Sequence, residues 1–318
     1  MNPEAVGWSR HPVHVCNLRG FYPRKKKWDY WCIVGDRFLF STTIAHIDYL
    51  SVGALYFLEY ASNRYAEHVV VKPFARTPIM PETVEGSIQF EQKDTRIAFE
   101  SAETTVRLSI HADSFAGQPL DAAIEIVRPA EHETLNVVIP WSPTRFQFTS
   151  KQHCLPSRGT IRWGNETFEL VPDAAFACLD FGRGIWPYRT TWNWAAFSGY
   201  SGSDVIGVNM GAKWTDNTGM NENGILLNGR LYKLFDEVAI EYDCRDFMRP
   251  WRMNSESSDA IRLTFVPFFE RADDTNLFVV RSTTHQTFGR YQGTIRVEDR
   301  TIPVDGIVGW AEEHRARW

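Results

Sequence analysis

Thr105-Val-Arg-Leu-Ser-Ile-His111 carries an apolar side chain at every second position, and the same period recurs over residues 86–91, 95–100 and 120–127. A period of two sends successive side chains to opposite faces of a strand, so one face of each segment is buried and the other is wet. No stretch shows the 3.6-residue period of an amphipathic helix. About eight such strands in roughly 120 residues, joined by short turns such as Ala116-Gly-Gln-Pro119, predict an up-and-down antiparallel barrel.

The remainder extends this pattern. Residues 28–40 read as two strands around a Gly35-Asp36 turn, and residues 44–50 and 54–60 continue the meander. Residues 141–159 carry two prolines and little periodicity, which predicts a junction between domains. A second β series follows, with hairpins around Gly164-Asn165 and Asn228-Gly229, the latter supplying both positive-φ residues of a type I′ turn. Strands over 260–268, 277–282 and 289–297 complete it. The expected fold is therefore all-β, two antiparallel barrels in tandem, with domains at 1–150 and 151–318. A 14% aromatic content, with 12 Trp and 21 Phe, suits pleated surfaces and ligand cavities.

A net charge of −5 supplies no field that gathers a polyanion, so nucleic acid is not an expected partner. The one dense basic run, Arg24 to Lys27, reads as a solvated turn or strand edge, with contact to an acidic or membrane-surface group as the alternative. Five cysteines without a CxxC spacing argue against a metal site or a full disulfide framework and predict a reducing, cytoplasmic location. No apolar run approaches the roughly 18 residues that span a bilayer. A small molecule is the expected partner, and a homo-oligomer stays open. Gly-rich phosphate loops, dinucleotide fingerprints and serine-hydrolase elbows are absent, so no cofactor is expected.

Residues 178–223 concentrate polar and aromatic groups beyond what a barrel core needs. Asp180 follows an apolar run, and a carboxyl at a barrel wall can be held protonated by desolvation. Beside Trp186, Tyr188, Trp192 and Trp194 it would suit alkene or leaving-group protonation, the rings stabilising a developing cation. The structural alternative is an ion pair with Arg183 or Arg189. Glu222, between Asn221 and Asn223, is either a second catalytic carboxylate or a loop cap. Asn209, mid-strand among apolar residues, needs a partner and either binds ligand or bridges to this loop. Trp192 and Trp194 share a strand face opposite Asn193. His46 and Asp48 likewise share a face and could relay protons, or be structural. His11 and His14 lack a third ligand, and no metal is expected.

The block Asp180-Phe-Gly-Arg-Gly-Ile-Trp-Pro-Tyr-Arg-Thr-Thr-Trp-Asn-Trp194, Val208-Asn209, Asn221-Glu-Asn223 and Gly309 to Trp318, together with Arg24 to Trp28 and Lys151-Gln152, resemble the bacterial family of unknown function DUF2804. More distantly the chain is similar to two-barrel lipocalin-like proteins that include carotenoid 1,2-hydratase, tocopherol cyclase and fungal Diels-Alderases. That resemblance implies tandem lipocalin-like (calycin-type) barrels and chemistry on apolar, often isoprenoid, substrates.

These readings combine into a cofactor-independent acid/base enzyme, a hydratase, isomerase or cyclase of a hydrophobic, terpenoid-type substrate. Asp180 is the expected acid, Glu222 or His46–Asp48 its partner, and Arg183, Trp186, Tyr188, Trp192, Trp194, Asn209 and Asn221 the substrate-binding set. A glycoside hydrolase or lyase using paired carboxylates and a non-catalytic carrier of an apolar ligand are the alternatives.

Overall fold

The computed structural model describes residues 1–74, 76–277 and 280–318. Among them the one helical element is a 3₁₀ turn, Pro3–Ala5. No helix among the described residues is long and apolar enough to cross a membrane. The strands begin with β1 (Trp8–Ser9), β2 (Lys25–Val34), β3 (Phe38–His46), β4 (Leu50–Glu59), β5 (Arg64–Pro73), β6 (Ile88–Gln92) and β7 (Thr95–Ser101). They continue with β8 (Thr105–Phe115), β9 (Gln118–Val127), β10 (Leu135–Ser142), β11 (Arg145–Trp163), β12 (Glu166–Leu170), β13 (Phe176–Ile185), β14 (Arg189–Ser201) and β15 (Asp204–Ala212). The last are β16 (Gly224–Leu227), β17 (Arg230–Lys233), β18 (Val238–Glu241), β19 (Trp251–Ser255), β20 (Ile261–Leu277), β21 (Val280–Val297) and β22 (Arg300–Arg317). Of the strand expected over 277–282, Phe278 and Val279 lie outside the described residues.

The chain forms two compact units that interleave along the sequence. The first comprises Pro12–His132 and Gln147–Trp186, the second Met1–His11, Glu133–Phe146 and Pro187–Trp318. Residues 141–159, expected as a junction without periodicity, lie largely in β10 and the 19-residue β11. Pro143 sits in the turn between those strands, where its missing N–H removes nothing from a ladder.

In the first unit the sheet runs β5-β4-β3-β2-β13-β11-β9-β8-β7-β6, with β12 folded back on β11. It curls until β5 approaches the opposite end: the imidazole of His68 on β5 is 2.9 Å from the Thr95 hydroxyl on β7, the strand next to the terminal β6. The face so enclosed holds Phe38, Phe57, Phe90, Phe115 and Phe168, all buried. The second unit runs β17-β16-β15-β14-β22-β21-β20-β19-β18, and β18 returns against β15. Phe197, Trp251, Phe265 and Tyr291 fill its interior. The Asn228-Gly229 hairpin has both central residues at positive φ, 50° and 82°, as a type I′ turn demands.

In each unit one long strand carries a glycine where no side chain fits. Gly159 on β11 has φ +142° and a Cβ there would lie 2.1 Å from the Ala123 carbonyl oxygen. Gly293 on β21 repeats the device, at φ +131° and 2.1 Å from the Arg262 carbonyl oxygen. Positive φ and a backbone contact both exclude a side chain.

The basic run at the start of β2 is not the solvated edge that its composition predicts. Lys25 pairs with Asp48 at 3.1 Å, and Lys26 has no exposed surface, its ammonium lying 3.4 Å from the Tyr49 hydroxyl and 4.6 Å from that ring's centre. Strand alternation turns one lysine of the three inward, and burial lowers its pKa from 10.5 to about 7.

Two outcomes follow from these constraints. Gly159→Ala and Gly293→Ala should each cost about 3 kcal/mol or more, read from urea midpoints, because neither clash can be relieved by a side-chain rotation. Lys26 penalises the fold fully below pH 7, and the penalty fades as pH rises toward 10.5, the unfolded-state value. Lys26→Met should therefore stabilise the protein by ~2–3 kcal/mol more at pH 6 than at pH 9, measured as the variant-minus-parent difference at each pH.

Candidate functional site

All ten residues of β13 are buried, so both of its faces must satisfy whatever polar groups they carry. Register places Cys178 opposite Cys32, Asp180 opposite Tyr30 and Gly182 opposite Trp28 on one face. Phe181 opposite Asp29 and Arg183 opposite Lys27 fall on the other.

Arg183 has no exposed surface. It pairs with Asp29 at 2.6 Å, donates to the carbonyls of Trp28, Gly182 and Pro81 at 2.7, 2.9 and 3.0 Å, and lies 3.7 Å from the centre of the Phe181 ring. Burial pushes the Asp29 carboxyl up, against the pull of that guanidinium. Arg183 thus ties β13 to β2 and to the segment around Pro81, and its odd position turns it away from Asp180.

On the Asp180 face the carboxylate lies 3.0 Å from the Lys151 ammonium and accepts from the Thr149 hydroxyl at 3.2 Å. All three side chains are buried. Asp180 thus pairs with Lys151 rather than with Arg183 or Arg189. The neighbouring Tyr30 hydroxyl is 2.7 Å from that of Tyr56, and burial holds the Tyr30 phenol well above its ordinary pKa. Gly182 leaves room for Trp28, since a Cβ there would lie 2.1 Å from the indole. The Trp186 ring is 5.8 Å from Trp28 and donates its N–H to Gln147 at 2.7 Å. His153, two residues beyond Lys151, brings its Nε2 to 3.9 Å from the Cys178 thiol. This face therefore combines a buried ion pair, two phenols and two indoles. Of the residues expected from sequence it joins Asp180 and Trp186; Lys151, Tyr30 and Tyr56 were not foreseen as a site.

Glu222 belongs to the second unit. Asn209 there accepts the Trp194 indole N–H at 2.8 Å and donates to the Glu222 carbonyl at 2.6 Å, so it does bridge to the loop. The Glu222 carboxylate accepts from the Trp214 indole at 3.0 Å and lies on Gly211, where a Cβ would be 2.2 Å away. Asn221 donates to the carbonyls of Phe235 and Asp236 and accepts from Lys233, whose pKa burial lowers to about 8. Trp194, Asn209 and Glu222 thus form one hydrogen-bonded group, and Asn221 is held beside it by Phe235, Asp236 and Lys233.

Trp192 and Trp194 share a face of β14, opposite His314 and Glu312 in register. Trp192 donates to Glu312 at 2.7 Å and stacks on His314 with ring centres 3.9 Å apart. Burial depresses His314 to about 3, leaving it neutral at pH 7 between the hydroxyls of Ser282 and Thr284. Tyr188 is exposed between β13 and β14, and its carbonyl accepts the Trp318 N–H at 3.0 Å. His46 and Asp48 do not share a strand face. β3 ends at His46, and Asp48 sits in the following turn at φ 70°, its N–H donating to His46 Nδ1 at 3.2 Å.

The fold has solved relatives. The chain is similar to the crystal structure of CghA with Sch210972, at 12% identity and a TM-score of 0.59 over 93% of this chain and 89% of that one. It is similar to another crystal structure of CghA, at 11% identity and 0.60 over 96% and 93%. Kievitone hydratase from Nectria haematococca matches at 9% identity and 0.50, over 96% and 95%. These likenesses agree with the all-β, two-barrel lipocalin-like architecture expected from sequence. A search of curated proteins finds no match. The family model for the domain of unknown function DUF2804 matches residues 1–318, and the chain belongs to the DUF2804 family.

Proposed function

We propose that this protein is a cofactor-independent acid/base enzyme, of hydratase, isomerase or cyclase type, acting on a hydrophobic, terpenoid-like small molecule. The observation that carries this reading is the buried Asp180–Lys151 pair beside the Tyr30–Tyr56 hydroxyls and the Trp28 and Trp186 rings. Packing alone does not call for these groups, since an apolar set of similar volume is often at least as stable as a buried ion pair. A carboxylate and an ammonium 3.0 Å apart can accept a proton at one atom and deliver one from the other without a net change in charge. Addition or loss of water, and migration of a double bond, need that exchange. The indoles supply an apolar wall that stabilises positive charge developing on carbon. A hydratase among proteins of the same fold supports the reaction class. In this reading the Trp194–Asn209–Glu222 group and Asn221 shape the second unit, and Arg183 is a positioning residue for β13.

A panel of alkenes, allylic alcohols and terpenoids, followed by mass spectrometry in deuterated water, tests the proposal. Asp180→Asn and Lys151→Met should each lower turnover about 100-fold, and Tyr30→Phe about tenfold, with unfolding midpoints monitored in parallel. Wild-type turnover in the Asp180 and Lys151 variants would sink it. So would binding of panel members without deuterium incorporation, which identifies a carrier.

A further inference from the structure

We propose that the second unit binds a small organic oxyanion, a carboxylate or phosphate on an apolar body, at the arginine-rich end of its sheet. β14, β22 and β21 lie side by side there, and their odd-numbered residues continue the interior face that carries Ala195, Phe197, Tyr291 and Ala311. Register sets these residues in three rungs. The outermost is Arg189–Arg317–Arg281, the next Thr191–Arg315–Thr283, and the innermost Asn193–Glu313–His285.

Three arginines abreast on adjacent strands are a like-charge row, which destabilises a sheet unless an anion lies over it. Among the acidic groups near these rungs, Asp274 is 3.3 Å from Arg281, and Glu313 is 2.7 Å from Arg315. Glu313 also receives the Tyr242 hydroxyl and Lys213, and although burial alone would raise it, these contacts hold it below the usual carboxylate range. Its charge is therefore shared among Tyr242, Lys213 and Arg315.

The arginines and threonines border a cavity of about 570 Å³, a size that suits a small molecule at the mouth of a barrel. Guanidinium groups match the planar oxygens of carboxylate and the oxygens of phosphate in bidentate fashion. The cavity also meets Phe247, which stacks on His285 with ring centres 4.1 Å apart, and that imidazole is fixed by Glu270 at 2.7 Å. The stacked pair is the surface for the apolar body. None of these residues belongs to the Asp180 face, so the inference stands apart from the function proposed above.

Cys244 lines the same cavity and is exposed, whereas Cys16, Cys32, Cys154 and Cys178 are buried. Its alkylation by N-ethylmaleimide, a neutral reagent, therefore reports occupancy. Phenyl phosphate and 3-phenylpropionate, tried separately to distinguish the two oxyanions, should slow the labelling, with at least one giving about tenfold protection at ten times its dissociation constant. Inorganic phosphate should protect less, and sodium chloride at matched ionic strength not at all. The Arg189→Gln/Arg281→Gln variant should lose the protection while melting at or above the parent temperature, because the charge row is relieved. Protection no greater than chloride gives in the parent protein overturns the proposal, whatever the variant's folding. Undiminished protection in a folded double variant overturns it as well.

Discussion

Both faces of β13 are buried, and that one condition governs the chemistry of the first unit. A strand in water can leave its polar side chains to the solvent; a strand covered on both sides must place each of them against another group of the fold. Arg183 meets the demand on one face through Asp29 and three carbonyls, and Asp180 meets it on the other through Lys151 and Thr149. The two ion pairs differ in what surrounds them. Arg183 is held by main-chain acceptors that nothing can replace, which suits a structural tie. Asp180 faces phenols and indoles, a setting whose variety exceeds what stability requires.

The contrast between Arg183 and Lys26 follows the chemistry of their head groups. A guanidinium keeps its proton and offers a planar fork of donors to several carbonyls at once. An ammonium is strongly hydrated and yields its proton when buried, as the lowered pKa of Lys26 records. Both groups have no exposed surface, yet one holds elements together while the other is carried as an electrostatic burden.

Elements with local causes were legible in the sequence. Alternation located strands such as β7, β8 and β9, though not the 19-residue β11; Asn228-Gly229 gave its turn type, and the shared face of Trp192 and Trp194 followed from parity alone. The Asp180 partner was not legible, because Lys151 reaches it only through the adjacency of β11 and β13, which no local pattern encodes. The arginine row was hidden for the same reason: Arg189, Arg281 and Arg317 lie on three strands that only the sheet's register aligns, and a one-residue change of register would disperse them. Parity failed where a strand ended early. His46 closes β3, and the turn that follows lifts Asp48 out of alternation. Burial of Lys26 was missed because a run of charge suggests solvent, while a strand turns alternate members of any run inward.

The pairing of β2 with β13 also has a meaning for biosynthesis. Residues 25–34 find their neighbours at 176–185, so about 150 residues must be made before that edge is covered, roughly 8 to 30 s at the usual rates of translation. Throughout that interval the nascent chain presents an unpaired edge bearing Trp28, Tyr30 and Trp31. Such an edge is a template for pairing with other chains, and its protection falls to whatever attends the ribosome until Asp180 and its strand arrive.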